Sequence, residues 1–301
     1  MRYSFVAVSG LMAAVSGHGL VTSIQGANGV SMPGLSVADG TPRDCTSNGC
    51  GSQADTAIIR DKEISSGKAS ALGRTQGNGP IDAATMIQNF MAGTAAPTNN
   101  GTGVGQEDNI PAGVTKRGNA FARGLLDLLT GGDKKSQSSG TKTETAQETS
   151  VAASAGQGAT SGLPTCADDG SITMTFRQIN QDGAGPIEAA VDGTSGGTDP
   201  DAFKTADVTQ DVPGSGFLGL SAATNTDFPL TVQMPAGMTC DASVGGADNV
   251  CVVRVRNNTP AGPFGGSAAF TQSPAARKRA IAYRLKKRQQ QQAEHNRRLR
   301  V

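Results

Sequence analysis

The sequence predicts a mainly β protein, an immunoglobulin-like β-sandwich with long loops and one or two short helices. Glycine is abundant, at 41 residues, and aromatic residues make up only 4% of the chain, which is typical of a loop-rich β protein. Short apolar runs alternate with turns rich in Gly and Pro. Apolar side chains at every second position, as in SITMTFRQI (171–179) and NVCVVRVRN (249–257), are typical of half-buried strands.

The first 17 residues predict a secretory signal peptide. Arg2 supplies a positive start, an apolar run extends from Phe5 to Val15, and small residues follow. Cleavage after Gly17 would leave His18 first and is favoured over cleavage after Ser16. Because the run is too short to cross a bilayer, we expect a secreted, extracellular protein that is not transmembrane.

Residues 18–273 are interpreted as a single β-rich domain. Apolar side chains at helical spacing predict one short helix over residues 81–92, and residues 119–129 are a second candidate. Residues 131–162 contain one Val and no larger apolar side chain. Such a segment cannot bury enough surface to offset its ordering entropy, so a disordered insert is expected there.

Residues 274–301 are predicted to form a basic, flexible tail. From Arg277 onward the chain has ten Lys or Arg and one Glu, whereas the region 18–274 has 15 basic and 24 acidic side chains. Three large aliphatic side chains make too thin an apolar stripe to anchor a packed helix (Ile281, Leu285 and Leu299). The tail is read as solvated, as a site of dibasic processing, or as a contact for anionic lipid or acidic wall polymers.

Five cysteines are expected to form disulfides in an exported protein. Cys240 and Cys251 flank a Gly-rich turn, which favours a pair across a hairpin. One of Cys45 and Cys50 is then expected to pair with Cys166, leaving one thiol over. Two sequons, at Asn100 and Asn257, are candidate glycosylation sites if they are exposed.

The sequence offers few groups for catalysis. Only two histidines are present, His18 and His295, so Ser-His-Asp and Cys-His mechanisms are disfavoured. No phosphate loop or closely spaced His/Cys zinc pattern occurs. The acidic residues that could form a glycosidase pair lie in segments whose composition is typical of turns, where Asp usually caps the turn. They are Asp168, Asp169, Asp182, Glu188, Asp192, Asp199 and Asp201.

His18 is the candidate metal ligand. An N-terminal histidine can chelate copper through its amino group and one ring nitrogen, and imidazole suits copper well. In secreted copper monooxygenases a second histidine completes such a site. The His-Gly with which this chain would begin after cleavage resembles the start of those enzymes. The body of the chain has no second histidine, so the sequence supplies only half of such a copper site. Copper is the alternative cofactor that His18 would bind.

Seven short sequence segments, called phrases below, occur in a characteristic order between His18 and about Arg288. They are HGLVTSIQGANG, GQEDNIPAG, ITMTFRQINQDGAGP, TSGGTDPDAF, NTDFPLTVQMPAGMTC, VRVRNNTPAGPFGG and AARKRAIAYRLKKR. Together they resemble the fungal Egh-type family of appressorium-specific, MAS-type secreted virulence factors. The resemblance is interrupted only by the insert.

The resemblance implies a secreted protein that is expressed with infection structures and aids penetration of the host surface. It implies no accepted enzymatic activity and no catalytic residues. We therefore expect binding or modification of host-surface or cell-wall polymers without established catalysis, and no nucleic-acid partner. The alternative is a degenerate or atypical copper-dependent polysaccharide monooxygenase-like protein that uses His18.

Overall fold

The computed structural model describes residues 18–46, 50–94, 140–143, 145–181, 183–214, 221, 223–259 and 262–299. The predicted signal peptide, the helix predicted over residues 119–129, residues 131–139 of the predicted insert, and Asn100 lie outside this part of the chain. Within it, no helix has both the length and the apolar character needed to cross a lipid bilayer.

Strands dominate the described residues. In chain order they are β1 Gly19–Gln25, β2 Ser31–Pro33, β3 Ala57–Ile58, β4 Arg74–Thr75, β5 Gly79–Pro80, β6 Thr141–Lys142, β7 Ser171–Gln178, β8 Glu188–Asp192, β9 Lys204–Gln210, β10 Thr226–Gln233, β11 Ala242–Val244, β12 Ala247–Arg256 and β13 Phe264–Thr271. The helices are α1 Asp61–Ser65, α2 Ala83–Ala92, α3 Ser150–Ala153, α4 Gly158–Ser161 and α5 Pro274–Arg298, with a 3₁₀ turn at Pro200–Ala202.

The strands form one antiparallel, curled sheet in the order β2-β1-β7-β10-β9-β8-β12-β13-β3-β4-β5, with β11 added to β12 and β6 to β10. Side chains of β10 alternate between buried and half-buried along its whole length, as expected for a strand with one face in the core. Phe228 of β10 lies opposite Phe176 of β7, and both are buried. The predicted mainly β, sandwich-like fold is confirmed.

Curling of the sheet brings β13 against β1, which lies at the other end of the strand order. Leu35, just after β2, donates its backbone N–H to the carbonyl of Ser267 in β13 at 2.9 Å. A Cβ at Gly266 would lie 2.6 Å from the backbone nitrogen of Val21. The two faces approach so closely because β13 has no side chain at this position.

We therefore expect Gly266→Ala to destabilise the fold by about 1–3 kcal/mol, because the added methyl meets backbone rather than a movable side chain. Gly77→Ala is the matched control, since its Cβ would come no closer than 3.1 Å to Ala54. The free energy of unfolding in urea measures both. Equal losses in the two variants would contradict the close approach of β1 and β13.

The helix predicted over residues 81–92 is confirmed as α2. The Asp82 carboxylate accepts the backbone N–H of Ala84 at 3.0 Å, and Gly93 ends the helix in the left-handed region at φ 69°. Such caps satisfy backbone groups that the helix itself cannot pair. The buried face of α2 includes Ile87 and Phe90, so the helix packs on the sheet through its apolar stripe.

The prediction of a disordered insert is wrong for residues 145–162, which are folded and contain α3 and α4. The largest apolar side chain of this segment, Val151, is only 1% exposed and packs in the core. Asn89 of α2 donates to the carbonyl of Val151 at 3.1 Å, and the Asp39 carboxylate accepts the N–H groups of Val151 and Ala152. Polar contacts with distant residues order this segment.

The prediction of a flexible tail is also corrected, because residues 274–298 form α5. The Ser273 hydroxyl caps the helix by accepting the N–H of Ala276 at 3.1 Å. Ala276 and Ala280 are buried. Two small side chains one turn apart let the helix lie close to the body, so no broad apolar stripe was required.

The disulfide between Cys240 and Cys251 is confirmed. The predicted bond from Cys45 or Cys50 to Cys166 is wrong, because Cys45 and Cys50 bond to each other within one short loop. Cys166 is a free, buried thiol whose backbone N–H bonds to the carbonyl of Thr271 at 2.9 Å. Burial raises the pKa of the Cys166 thiol above its ordinary value, which disfavours the reactive thiolate.

Candidate functional site

Most of the described carboxylates that the sequence offered as a glycosidase pair have structural roles, whereas the exposed Asp201 contributes only its backbone N–H and carbonyl to hydrogen bonds. Asp168 accepts the hydroxyl of Ser273 at 2.8 Å, and Asp169 accepts the N–H of Ser171 at 2.8 Å. Glu188 forms an exposed ion pair with Arg256, and Asp199 caps the 3₁₀ turn. Asp182 lies outside the described residues.

Asp192 shapes the loop after β8, which contains the sequence TSGGTDPDAF. Its buried carboxylate accepts the backbone N–H groups of Thr194, Ser195 and Gly197 at 2.7–3.0 Å. It also accepts both the Thr194 and the Ser195 hydroxyl groups. Burial opposes ionisation, but these hydrogen bonds hold the pKa of Asp192 below its ordinary value. Asp192 is therefore a loop-forming residue, with its acceptor positions occupied by the protein.

The structure places His18 in the core, at 1% exposure. Its ring stacks on Phe264 of β13 with centroids 4.3 Å apart. Its backbone nitrogen donates to the side chain of Asn180 at 2.7 Å, and its carbonyl accepts the N–H of Ile179. Among the described residues, no group of three His, Cys, Asp or Glu side chains could hold a metal ion.

Copper binding at His18 stays a prediction from the sequence, and the burial of the His18 ring argues against it. We expect the secreted protein to take up no copper at micromolar concentration, because the ring would have to leave Phe264. We expect His18→Ala to lower the free energy of unfolding by about 1–3 kcal/mol through lost packing.

Intact mass would show whether His18 is the first residue, and copper titration would follow. Stoichiometric binding by the wild type that His18→Ala abolishes would contradict the structural role assigned to His18.

Asn257, the second glycosylation candidate, is fully buried. Its side-chain oxygen accepts the N–H groups of Thr259 and Phe264 and the Thr259 hydroxyl, at 3.0–3.4 Å. The side chain shapes the turn into β13 from within. The exposure on which the glycosylation prediction depended is therefore absent at Asn257 in the fold.

A polar cleft of about 460 Å³ opens on the surface of the described residues. It lies between β1, β2, the segment before α3, and α3 itself. Hydroxyl, amide and charged side chains dominate its lining: Thr22, Ser23, Ser31, Arg43, Thr145, Gln147, Glu148, Thr149, Ser150, Ser154, Gln157 and Arg177. No aromatic side chain lines it. Its volume lies in the range of ligand pockets in proteins.

Arg43 forms the buried base of this cleft. Its guanidinium donates two hydrogen bonds to Asp55, at 2.9 and 2.5 Å, and one to Glu148 at 3.0 Å. Burial alone would lower the pKa of Arg43, but the charges of Asp55 and Glu148 raise it above its ordinary value. Burial likewise opposes the ionisation of Glu148, yet the Arg43 charge holds its pKa below 4.5.

Arg177 of β7 is the second guanidinium of the cleft and is 6% exposed. Its Nε and Nη2 donate to the Asp227 carboxylate at 2.8 and 3.0 Å, and Nη2 also bonds to the Thr143 hydroxyl. Its Nη1 is buried without a hydrogen-bond partner in the described part of the chain. A buried donor of this kind is costly to leave unpaired, so an internal water would stabilise it.

The charges around the cleft nearly cancel. Two guanidinium groups, Arg43 and Arg177, face three carboxylates on Asp55, Glu148 and Asp227. Such a surface favours an uncharged, hydroxyl-rich ligand over a strong anion or cation. Sequence analysis assigned no role to these residues, because they come from five separate segments and match no known catalytic or binding motif.

We expect Glu148→Gln to destabilise the protein by about 1–3 kcal/mol at pH 7, because Arg43 loses part of its charge compensation. Since the folded pKa of Glu148 lies below 4.5, its contribution is complete above that pH and is lost as pH falls through the folded pKa. The difference between wild type and variant should therefore narrow below about pH 4.5.

Urea unfolding at pH 7 and pH 3 measures this difference. Glu188→Gln is the control, because its exposed ion pair with Arg256 should contribute less than about 1 kcal/mol. A Glu148→Gln deficit that stays constant over this pH range would contradict the assigned role.

The fold and the cleft define a loop-rich, antiparallel β-sandwich-like protein with a polar, nearly charge-balanced surface cleft. In its described residues no three-residue metal cluster is found. The chain belongs to the Egh16-like virulence factor family, whose model matches residues 16–265. The resemblance read from the sequence phrases is therefore confirmed.

Two virulence factors of one fungus are similar in sequence to the chain, one over nearly its whole length and one over less than half of it. Appressoria-specific virulence factor GAS2 of Pyricularia oryzae is 54% identical over 291 residues, which are 96% of this chain and 95% of GAS2. Appressoria-specific virulence factor GAS1 of the same fungus is 37% identical over 129 residues, which are 42% of this chain and 50% of GAS1. No solved structure matches the chain.

Proposed function

We propose that this protein is an exported virulence factor that acts with the appressorium and aids penetration of the host surface. The observation that carries the proposal is the 54% identity to GAS2 across nearly the whole of both chains. Two disulfides in the fold are typical of proteins that leave the reducing cytosol, which supports export. The predicted signal peptide would direct the chain into the secretory pathway.

We further propose that the protein acts by binding a surface polymer in the polar cleft. Sugar hydroxyls exchange hydrogen bonds with the Ser, Thr and Gln side chains that line the cleft. The near balance of charge around the cleft supports an uncharged polysaccharide. Since no aromatic ring lines the cleft, affinity would come from hydrogen bonds and not from stacking on the sugar.

Deletion of the gene should reduce penetration by appressoria, and the wild-type gene should restore it. A variant that removes two exposed amides from the cleft, Gln147→Ala with Gln157→Ala, should restore penetration poorly while being secreted normally. The loss of two hydrogen bonds should weaken polymer binding about tenfold or more. Binding to soluble, uncharged hydroxyethylcellulose and chitin oligomers measures this directly.

The matched control removes two exposed amides away from the cleft, Asn78→Ala with Gln210→Ala, and should behave as wild type. Normal penetration without the gene would contradict the proposed role. Reduced penetration that both double variants restore equally would contradict the cleft as the binding site and leave the role in place.

A further inference from the structure

The C-terminal helix α5 is fastened to the body through its first two turns. Ser273, its cap, donates to the Asp168 carboxylate at 2.8 Å, while Ala276 and Ala280 are buried. Arg277 donates to the carbonyl of Cys240 at 2.7 Å and pairs with Asp241 at 2.8 Å. The start of the helix is thus tied to the loop that the Cys240–Cys251 disulfide closes.

Further contacts extend this attachment as far as Tyr283. Arg279 donates to the carbonyl of Asp168 at 2.7 Å. The Tyr283 ring lies against Gly237, where an added Cβ would come within 2.8 Å of it. The helix is therefore oriented by Arg277, Arg279 and Tyr283. The guanidinium groups of Arg277 and Arg279 already donate hydrogen bonds to the body of the protein.

Arg284 is the last residue whose side chain lies next to Gly237. Every residue from 284 to 299 is exposed. We call residues 284–299 the basic arm. It carries six basic side chains, Arg284, Lys286, Lys287, Arg288, Arg297 and Arg298, and one acidic side chain, Glu294. At 1.5 Å per residue the arm is about 24 Å long. An exposed helix with this excess of charge attracts an anionic partner.

The arrangement of the basic side chains distinguishes among anionic partners. Successive residues of a helix are about 100° apart, so Arg284, Lys287 and Arg288 lie within an arc of about 100°. Lys286 lies on the opposite side of the helix, so the basic side chains occupy two sides. A lipid bilayer touches one side of a helix and is entered by a broad apolar face. The arm has only Leu285 and Leu299 as large apolar side chains, so it lacks such a face. A flexible chain of negative charges can follow several sides at once.

We propose that the basic arm binds an acidic polysaccharide, a polyuronate, and so anchors the protein to a wall polymer outside the cell. This inference rests on the proposed function for its extracellular setting. The polar cleft and the arm would then take polymers of different charge, an uncharged chain in the cleft and an anionic chain along the arm.

Full-length secreted protein, with the arm verified by intact mass, is tested on immobilised polygalacturonate and on its methyl-esterified, uncharged form. We expect retention on the acidic form alone, weakening steeply from about 0.05 M to about 0.5 M salt. Lys286→Gln, Lys287→Gln and Arg288→Gln together should weaken binding about 10–100-fold.

The matched control removes three exposed lysines from the body, Lys62→Gln, Lys142→Gln and Lys204→Gln, so that its net charge equals that of the arm variant. We expect it to bind within about threefold of wild type, because long-range charge is screened. Circular dichroism should show the same helix content in all three proteins.

Equal losses in the two triple variants, or equal retention on the esterified polymer, would overturn the inference. Stronger binding to vesicles of phosphatidylserine and phosphatidylcholine, or to duplex DNA, than to polygalacturonate would overturn it in favour of that partner. Absent polyuronate binding together with defective penetration of the deletion strain would reject the arm's role alone. Polyuronate binding with normal penetration would reject the proposed function alone.

Discussion

The buried ion cluster of Arg43, Asp55 and Glu148 is the interaction on which the candidate site depends. It joins the loop before the Cys45–Cys50 disulfide, the turn that leads into β3, and the segment that precedes α3. A guanidinium at 2% exposure is tolerated only because its charge is compensated and its donors are paired. Together with the hydrogen bonds of Asn89 and Asp39, the cluster orders residues 145–162, which form one wall of the cleft.

The sequence phrases that reveal the family are explained mainly by structural roles. The carboxylate of Asp192 holds the loop that follows β8, the amide of Asn257 shapes the turn before β13, and the Asn180 side chain receives the backbone of His18. Buried polar groups of this kind need specific partners, because an unpaired group would cost free energy. They support a rigid scaffold, while the surfaces available for recognition are the cleft and the basic arm.

Prediction from sequence succeeded where local chemistry decides structure. The period-2 pattern identified β7 and β12, the spacing of Ile87 and Phe90 identified α2, and the turn between Cys240 and Cys251 identified their bond. It did not anticipate the folded segment 145–162, helix α5 or the cleft. These depend on contacts between residues far apart in the chain, such as Arg43 with Glu148, and composition within a window contains no trace of them.

The sequence by itself determined the mainly β fold class and the family, because both follow from the order and spacing of residues along the chain. It also determined the charge contrast between body and tail. Only the tertiary structure decided that His18 is a buried packing residue, that Cys166 is a free thiol, and that the basic tail is a helix clamped at its start. Burial, partner choice and direction are properties of atoms brought together in space, which residue order alone does not specify.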